Sequence, residues 1–321
     1  MCCISGNSYS SKENIRNQNR KMRILIVFLT LFVSSELLSQ EGHYIKDGKN
    51  LIHLTTYGEG EPILIINGGP GMSSKGYHSL AEKLGEKNLA IIYDQRGTGQ
   101  SKSEKADAST ITMKGMLDDI EKIRMYLKVD KWVVLGHSFG GMLASHYTSH
   151  YPERTKGLIL SSSGGVDMEL ISNFDITARL TQKDRDSLFY WTLKIARGDT
   201  TYNAKLQRGT YLASAYLNDK SHMPKVAKRL AQTNMEINGL VFRDMRKIGF
   251  DCKPILAKYT KPVLVIQGAQ DIIPLELGEK AHKLFSNSTF VILEKSGHFG
   301  WLEESELYLK SIQELLQKTA S

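Results

Sequence analysis

Three residues of this chain have the type and spacing to do chemistry together: a serine, an aspartate and a histidine, each in a short turn beyond an apolar run. Residues 132–141 read WVVLGHSFGG, a buried strand followed by Gly136-His137-Ser138-Phe139-Gly140 and then a helix. The glycines permit a strand-to-helix turn tight enough to lift the Ser138 hydroxyl into the open. The helix beginning near Gly140 aims free N–H groups at the same spot. A serine hydroxyl is a poor nucleophile until a neighbouring base takes its proton. Asp271 closes the stretch Gln267-Gly268-Ala269-Gln270-Asp271 after the strand-like run 263–266, and His298 sits in Ser296-Gly297-His298-Phe299-Gly300 before the last helix. A carboxylate just past a strand end lies where open α/β sheets build their sites. Serine, acid, histidine is also the chain order that goes with a strand–turn–helix nucleophile.

A fourth element, Asn67-Gly68-Gly69-Pro70-Gly71, directly follows the strand-like run 63–66. A glycine-rich loop there brings a backbone N–H close to a developing oxyanion. Gly69 is assigned as the first donor and Phe139, the residue after the nucleophile, as the second. Asp167, beyond the apolar run 158–160, is a rival acid, and His282, in the helical run 278–284, is a rival histidine. His137 is read as lining the site. His43, His53, His78, His146, His150 and His222 are read as structural or solvated.

The elements that must position these groups alternate. Runs at 63–66, 89–93, 132–135, 158–160, 263–266 and 290–293 read as strands, the continuously apolar ones as parallel strands buried on both faces. Helical patterns at 79–84, 116–127, 142–150, 275–285 and 304–316 separate them. Ile45 and residues 51–57 supply edge strands. The expected fold is a mostly parallel, doubly wound α/β sheet. The alternation stops between 164 and 253, where helix-like stretches such as 184–196 and 225–233 replace strands. The expected organisation is therefore an N-terminal extension at 1–40, a core made of 41–163 and 254–321, and an inserted helical cap at 164–253.

The chain has 321 residues, 42 Lys and Arg against 34 Asp and Glu, and a net charge of +8. Of this excess +5 belongs to the cap segment, with no dense basic run interleaved with aromatics, so nucleic-acid binding is not expected. The three cysteines, Cys2, Cys3 and Cys252, cannot form a disulfide framework. Without C-x-x-C or H-E-x-x-H there is no case for a metal, and no cofactor is expected. Lys21 and Arg23 precede the apolar run 24–33, and small or polar residues follow at Ser34, Ser35, Ser39 and Gln40. That three-part pattern reads as a signal peptide of an exported, periplasmic or secreted protein, with a cytoplasmic location as the alternative. The run is too short to span a bilayer, so no stable membrane insertion is expected once it is removed.

With these residues in view, the chain resembles the α/β-hydrolase fold and, within it, the proline iminopeptidase group of serine peptidases. The resemblance rests on NGGPG at 67–71, DQRGTGQS at 94–101, GHSFGG at 136–141, Asp271 and His298, and it covers roughly residues 45–318. It implies Ser138 as nucleophile, His298 as base, Asp271 as its orienting acid, Gly69 and Phe139 as oxyanion donors, and a structural role for DQRGTGQS. Two departures stand out. Asn67 replaces the family's usual histidine in the loop. Glu236 resembles one of the cap glutamates that hold a substrate's α-amine, but no second is apparent. The expected partner is a small-molecule or short-peptide substrate. The favoured activity is release of N-terminal proline or a small residue, with a carboxylic-ester or lactone hydrolase as the alternative and a catalytically silent binding protein as a further one.

Overall fold

The computed structural model describes residues 40–169 and 175–319, and the targeting pattern at 21–40 falls almost entirely outside them. Eight strands form one sheet: β1 (Gln40–Asp47), β2 (Asn50–Tyr57), β3 (Pro62–Ile66), β4 (Leu89–Tyr93), β5 (Trp132–His137), β6 (Thr155–Ser161), β7 (Val263–Gly268) and β8 (Ser288–Leu293). Their order is β1-β2-β4-β3-β5-β6-β7-β8. The β1/β2 and β2/β4 pairs are antiparallel and the rest parallel, with Ile63 beside Val133, Leu160 beside Val265 and Ile266 beside Val291.

The unbroken apolar runs have a direct cause. Leu64, Ile66, Ile91, Tyr93, Val134, Leu158, Leu160, Val263 and Val265 enter one core, while Ile63, Ile65, Ala90, Ile92, Val133, Leu135, Ile159, Leu264 and Ile266 enter the other. Successive side chains point to opposite faces, so where the sheet is covered on both sides the middle of each central strand is apolar throughout. Helices α1 (His78–Gly85), α2 (Met113–Tyr126) and α3 (Phe139–His150) provide part of that cover. Helix α2 begins three residues earlier than its apolar pattern suggests, because Thr112 caps it by accepting the Gly115 N–H at 3.0 Å.

Between β6 and β7 the described residues carry helices α4 (Gln182–Ala196), α5 (Tyr202–Tyr216), α6 (Met223–Leu230), α7 (Met235–Lys247) and the short α8 (Lys253–Leu256). Both ends of this insert meet at an isolated bridge between Asp167 and Asp251, where the Cys252 N–H also donates to the Val166 carbonyl at 2.9 Å. Helices α9 (Leu275–Leu284), α10 (Gly300–Glu303) and α11 (Ser305–Thr319) complete the chain. No helix among the described residues is long and apolar enough to cross a membrane.

Candidate active site

Ser138 stands between β5 and α3 with φ 56° and ψ −123°. A non-glycine residue in such a region costs on the order of 1–3 kcal/mol and persists only where its surroundings enforce it. Here the Ser138 N–H donates to Ser161 O at 3.0 Å, and its carbonyl accepts from Gly141 at 2.9 Å and Gly164 at 3.0 Å. Close approach of the backbone dictates the flanking glycines. A Cβ on Gly140 would lie 2.1 Å from Ile66 O, and one on Gly136 would lie 2.2 Å from Gly140 O.

Strands β7 and β8 deliver the other two groups to the same rim of the sheet. His298 Nδ1 lies 2.7 Å from Asp271 Oδ1, with both side chains buried. The same carboxylate oxygen accepts the Ile273 N–H at 3.1 Å. The insert fixes this pair through the backbone: Arg179 donates to Asp271 O at 3.1 Å, and the His298 N–H donates to Tyr216 O at 2.7 Å. Glu303 adds a clasp, accepting from Asn218 and Asp219 in the insert and from Gly297 beside the histidine.

The loop after β3 turns at Gly69, whose φ is 68°. Asn67 braces it by donating to the Gly68 and Met72 carbonyls, both at 3.1 Å, and Gln95 donates to Asn67 O at 2.7 Å. The N–H groups of Gly69 and Phe139 have no acceptor among the described residues, as oxyanion donors require.

A buried relay that the motifs did not reveal joins these loops. His137 Nε2 faces the His298 carbonyl at 2.8 Å, and Nδ1 faces the Tyr77 hydroxyl at 2.6 Å. A carbonyl only accepts, so Nε2 carries the proton and Nδ1 accepts from Tyr77. The Tyr77 oxygen in turn accepts the Gly68 N–H at 2.9 Å. Burial, reinforced by nearby His298, holds the His137 pKa well below the usual imidazole range and keeps the ring neutral. From α6, Arg229 donates to Gly68 O at 2.8 Å and stacks over the Tyr77 ring at 4.6 Å. Arg229 and Tyr77 lie 152 positions apart in sequence, which is why no local pattern shows the contact.

The rival residues are occupied elsewhere. Asp167 pairs with Lys253 and accepts the Glu169 N–H. His282 meets Ser288 Oγ at 2.6 Å and stacks on Phe290. Asp94 of the DQRGTGQS stretch accepts from Ser74, Gln100 and His53 inside the fold, and Arg96 forks onto Asp119. Burial pushes the Cys252 thiol up to about 12, so it is no nucleophile.

A cavity of about 330 Å³ opens over Ser138 and is lined by Gly69, Phe139, Arg208, Tyr216, Asn238 and Phe242 among others. Glu236 is not brought to it. Met235, Asn238 and Phe242 form the face of α7 that lines the cavity, whereas Glu236 lies exposed on the first turn of that helix.

Residues 61–305 match the alpha/beta hydrolase fold family. The chain belongs to that family. Among curated α/β-hydrolase relatives, a proline iminopeptidase of Saccharolobus solfataricus is 30% identical over 281 residues, which is 82% of this chain and 87% of the relative. A solved proline iminopeptidase of Mycobacterium smegmatis superposes with a TM-score of 0.65 at 22% identity, covering 87% of this chain and 99% of that one. An esterase of Exiguobacterium antarcticum has the same TM-score, 0.65, at 19% identity, over 88% and 100%. At these identities the two structures speak for the α/β-hydrolase fold alone.

Proposed function

We propose that this α/β hydrolase is a serine hydrolase that opens acyl bonds through a covalent intermediate on Ser138. The observation that carries the reading is the buried Asp271–His298 hydrogen bond at the strand rim that also presents Ser138. Ser138 Oγ attacks the substrate carbonyl while His298 takes the hydroxyl proton through Nε2. Asp271, bonded to Nδ1, holds the ring in the tautomer that leaves Nε2 free and stabilises the imidazolium that forms. The Gly69 and Phe139 N–H groups take the oxyanion, each contributing about 10²–10³ in rate. His298 returns the proton to the leaving group and then activates water against the acyl-enzyme.

Two substrate classes use this machinery. The proline iminopeptidase relatives favour release of an N-terminal proline. The cavity favours a carboxylic ester or lactone, because none of its described lining residues is an aspartate or glutamate that could hold an α-ammonium. The pattern at residues 21–40 supports export, which fractionation of cells producing the tagged full chain would check.

The test compares wild type and Ser138→Ala for labelling by a fluorophosphonate and for cleavage of a prolyl arylamide and a short-chain nitrophenyl ester. Labelling and ester turnover that both vanish in Ser138→Ala are expected. An unlabelled wild type that cleaves neither substrate would refute the serine hydrolase, and arylamide turnover matching ester turnover would refute the ester preference.

A further inference from the structure

The cavity over Ser138 contains a charge that the acyl-hydrolase chemistry does not use. Arg208, half-buried, lines it. Arg208 makes no hydrogen bond or ion pair with any described residue. The contrast with Arg229 is sharp, since that side chain is committed to Gly68 O and the Tyr77 ring. Burial lowers the Arg208 pKa against the opposing influence of Tyr216, although a guanidinium stays protonated at any ordinary pH. An arginine partly withdrawn from water without a counter-anion carries a desolvation cost that an arriving anion would offset.

Its placement is set by the helix. Arg208, Leu212 and Tyr216 follow one another at four-residue spacing along a single face of α5, and all three line the cavity. Tyr216 packs edge-on against the His298 ring, with centroids 5.2 Å apart. At 1.5 Å of rise per residue, Arg208 lies about 12 Å along the axis from that contact. Most of the other described residues that line the cavity are apolar, Leu212, Leu230, Phe242, Ile272 and Ile273 among them.

We propose that Arg208 is a substrate-binding residue for a carboxylate, so that the acyl substrate is a mainly apolar molecule bearing a carboxylate remote from its scissile carbonyl. The proposal rests on the acyl-hydrolase reading above and names the substrate class of that same site. One guanidinium matches one monoanion through two parallel N–H···O bonds. A phosphate dianion would leave charge uncompensated, since no second Lys or Arg lines the cavity among the described residues.

The first test needs no turnover. Ser138→Ala protein is titrated calorimetrically with 6-phenylhexanoate and with 6-phenylhexanamide, the same ligand without its charge. The carboxylate should bind about 10- to 100-fold more tightly, the range expected of a charge-assisted pair. Adding Arg208→Gln should abolish the difference, and Arg208→Lys should restore part of it. Equal binding of acid and amide, or a preference that survives in Arg208→Gln, overturns the proposal.

The second test reads the ratio of kcat/KM within matched ester pairs. Naphthyl monoesters of adipic and suberic acid are compared with their methyl-capped diesters, which places the charge on the acyl part. Hexanoyl esters of 6-hydroxyhexanoate and of its methyl ester place it on the leaving part. A preference for the charged member of one pair, lost in Arg208→Gln, supports the assignment and says which side carries the carboxylate. No preference in either pair overturns it. Absence of both fluorophosphonate labelling and turnover would instead count against the hydrolase reading, and the titration would still decide whether Arg208 holds a carboxylate.

Discussion

At the rim of the sheet, Ser138, Gly69 and His298 are held by main-chain hydrogen bonds to Ser161, Met72 and Tyr216, and their neighbours are glycines with no room for a Cβ. Across the cavity, the helices of the insert present Arg208, Leu212, Asn238 and Phe242, whose helical backbones would accept almost any side chain. The rim is therefore constrained in its backbone and the insert only in its side chains. On the proposed function, geometry for bond-making is concentrated in the first, while the choice of substrate is left to the second. Arg179, Arg229 and Glu303 tie one to the other.

Substitutions can break that contrast. The largest effect should come from the acids: Asp271→Asn should lower kcat by about 10³–10⁴, the loss that follows when the base is left in the wrong tautomer. Asp167→Asn should stay within about threefold, because Asp167 only anchors the neck of the insert. Steady-state kinetics on a nitrophenyl ester checks both, and a reversed ranking would move the acid to β6.

Tyr77→Phe probes the relay beneath the loops. It strips Gly68 N–H of its acceptor and His137 of its donor, and a buried group left unpaired costs about 1–3 kcal/mol. We expect a lower melting temperature and a kcat reduced about 10- to 100-fold with little change in KM. Unaltered kcat would make the relay purely structural.

The pH dependence of stability is the next, smaller effect. Burial lowers the pKa of His137, and that of His146 to about 4, against an ordinary value near 6.5. Between the folded and unfolded pKa values the unfolded chain binds more protons. Stability is therefore full above about pH 6.5 and falls as pH falls through that window. Thermal melts from pH 7 to pH 4 should show this decline, and His146→Gln should make it shallower. The smallest effect sharpens the view of the insert: Glu236→Ala should change kcat/KM by less than about twofold on any substrate, because an exposed carboxylate outside the cavity is screened from it.

How legible each region was follows from the same division. Ser138, Asp271, His298 and the Asn67–Gly71 loop could be read from the sequence because each lies at a strand end, where turn chemistry demands particular residues in a particular order. The sheet was legible because two-sided burial writes itself as unbroken apolar runs. The insert was not, since helical periodicity says which residues are buried but not what they face. Helices α5 and α7 gave no distinctive signal of their own, and Glu236 resembled an amine anchor although its helix turns it outward. Arg208 did carry a trace, the four-residue spacing with Leu212 and Tyr216, but an arginine above a leucine and a tyrosine is ordinary on a surface helix.

The bridge between Asp167 and Asp251 has a consequence for how such a molecule can diversify. Because the two ends of the insert meet at this bridge, its length is nearly decoupled from the geometry of β6 and β7. Doubling a loop whose ends already meet adds only about 0.6 kcal/mol of closure entropy. The neck thus behaves as a socket, into which helices of other lengths and linings could be fitted above an unaltered reaction centre.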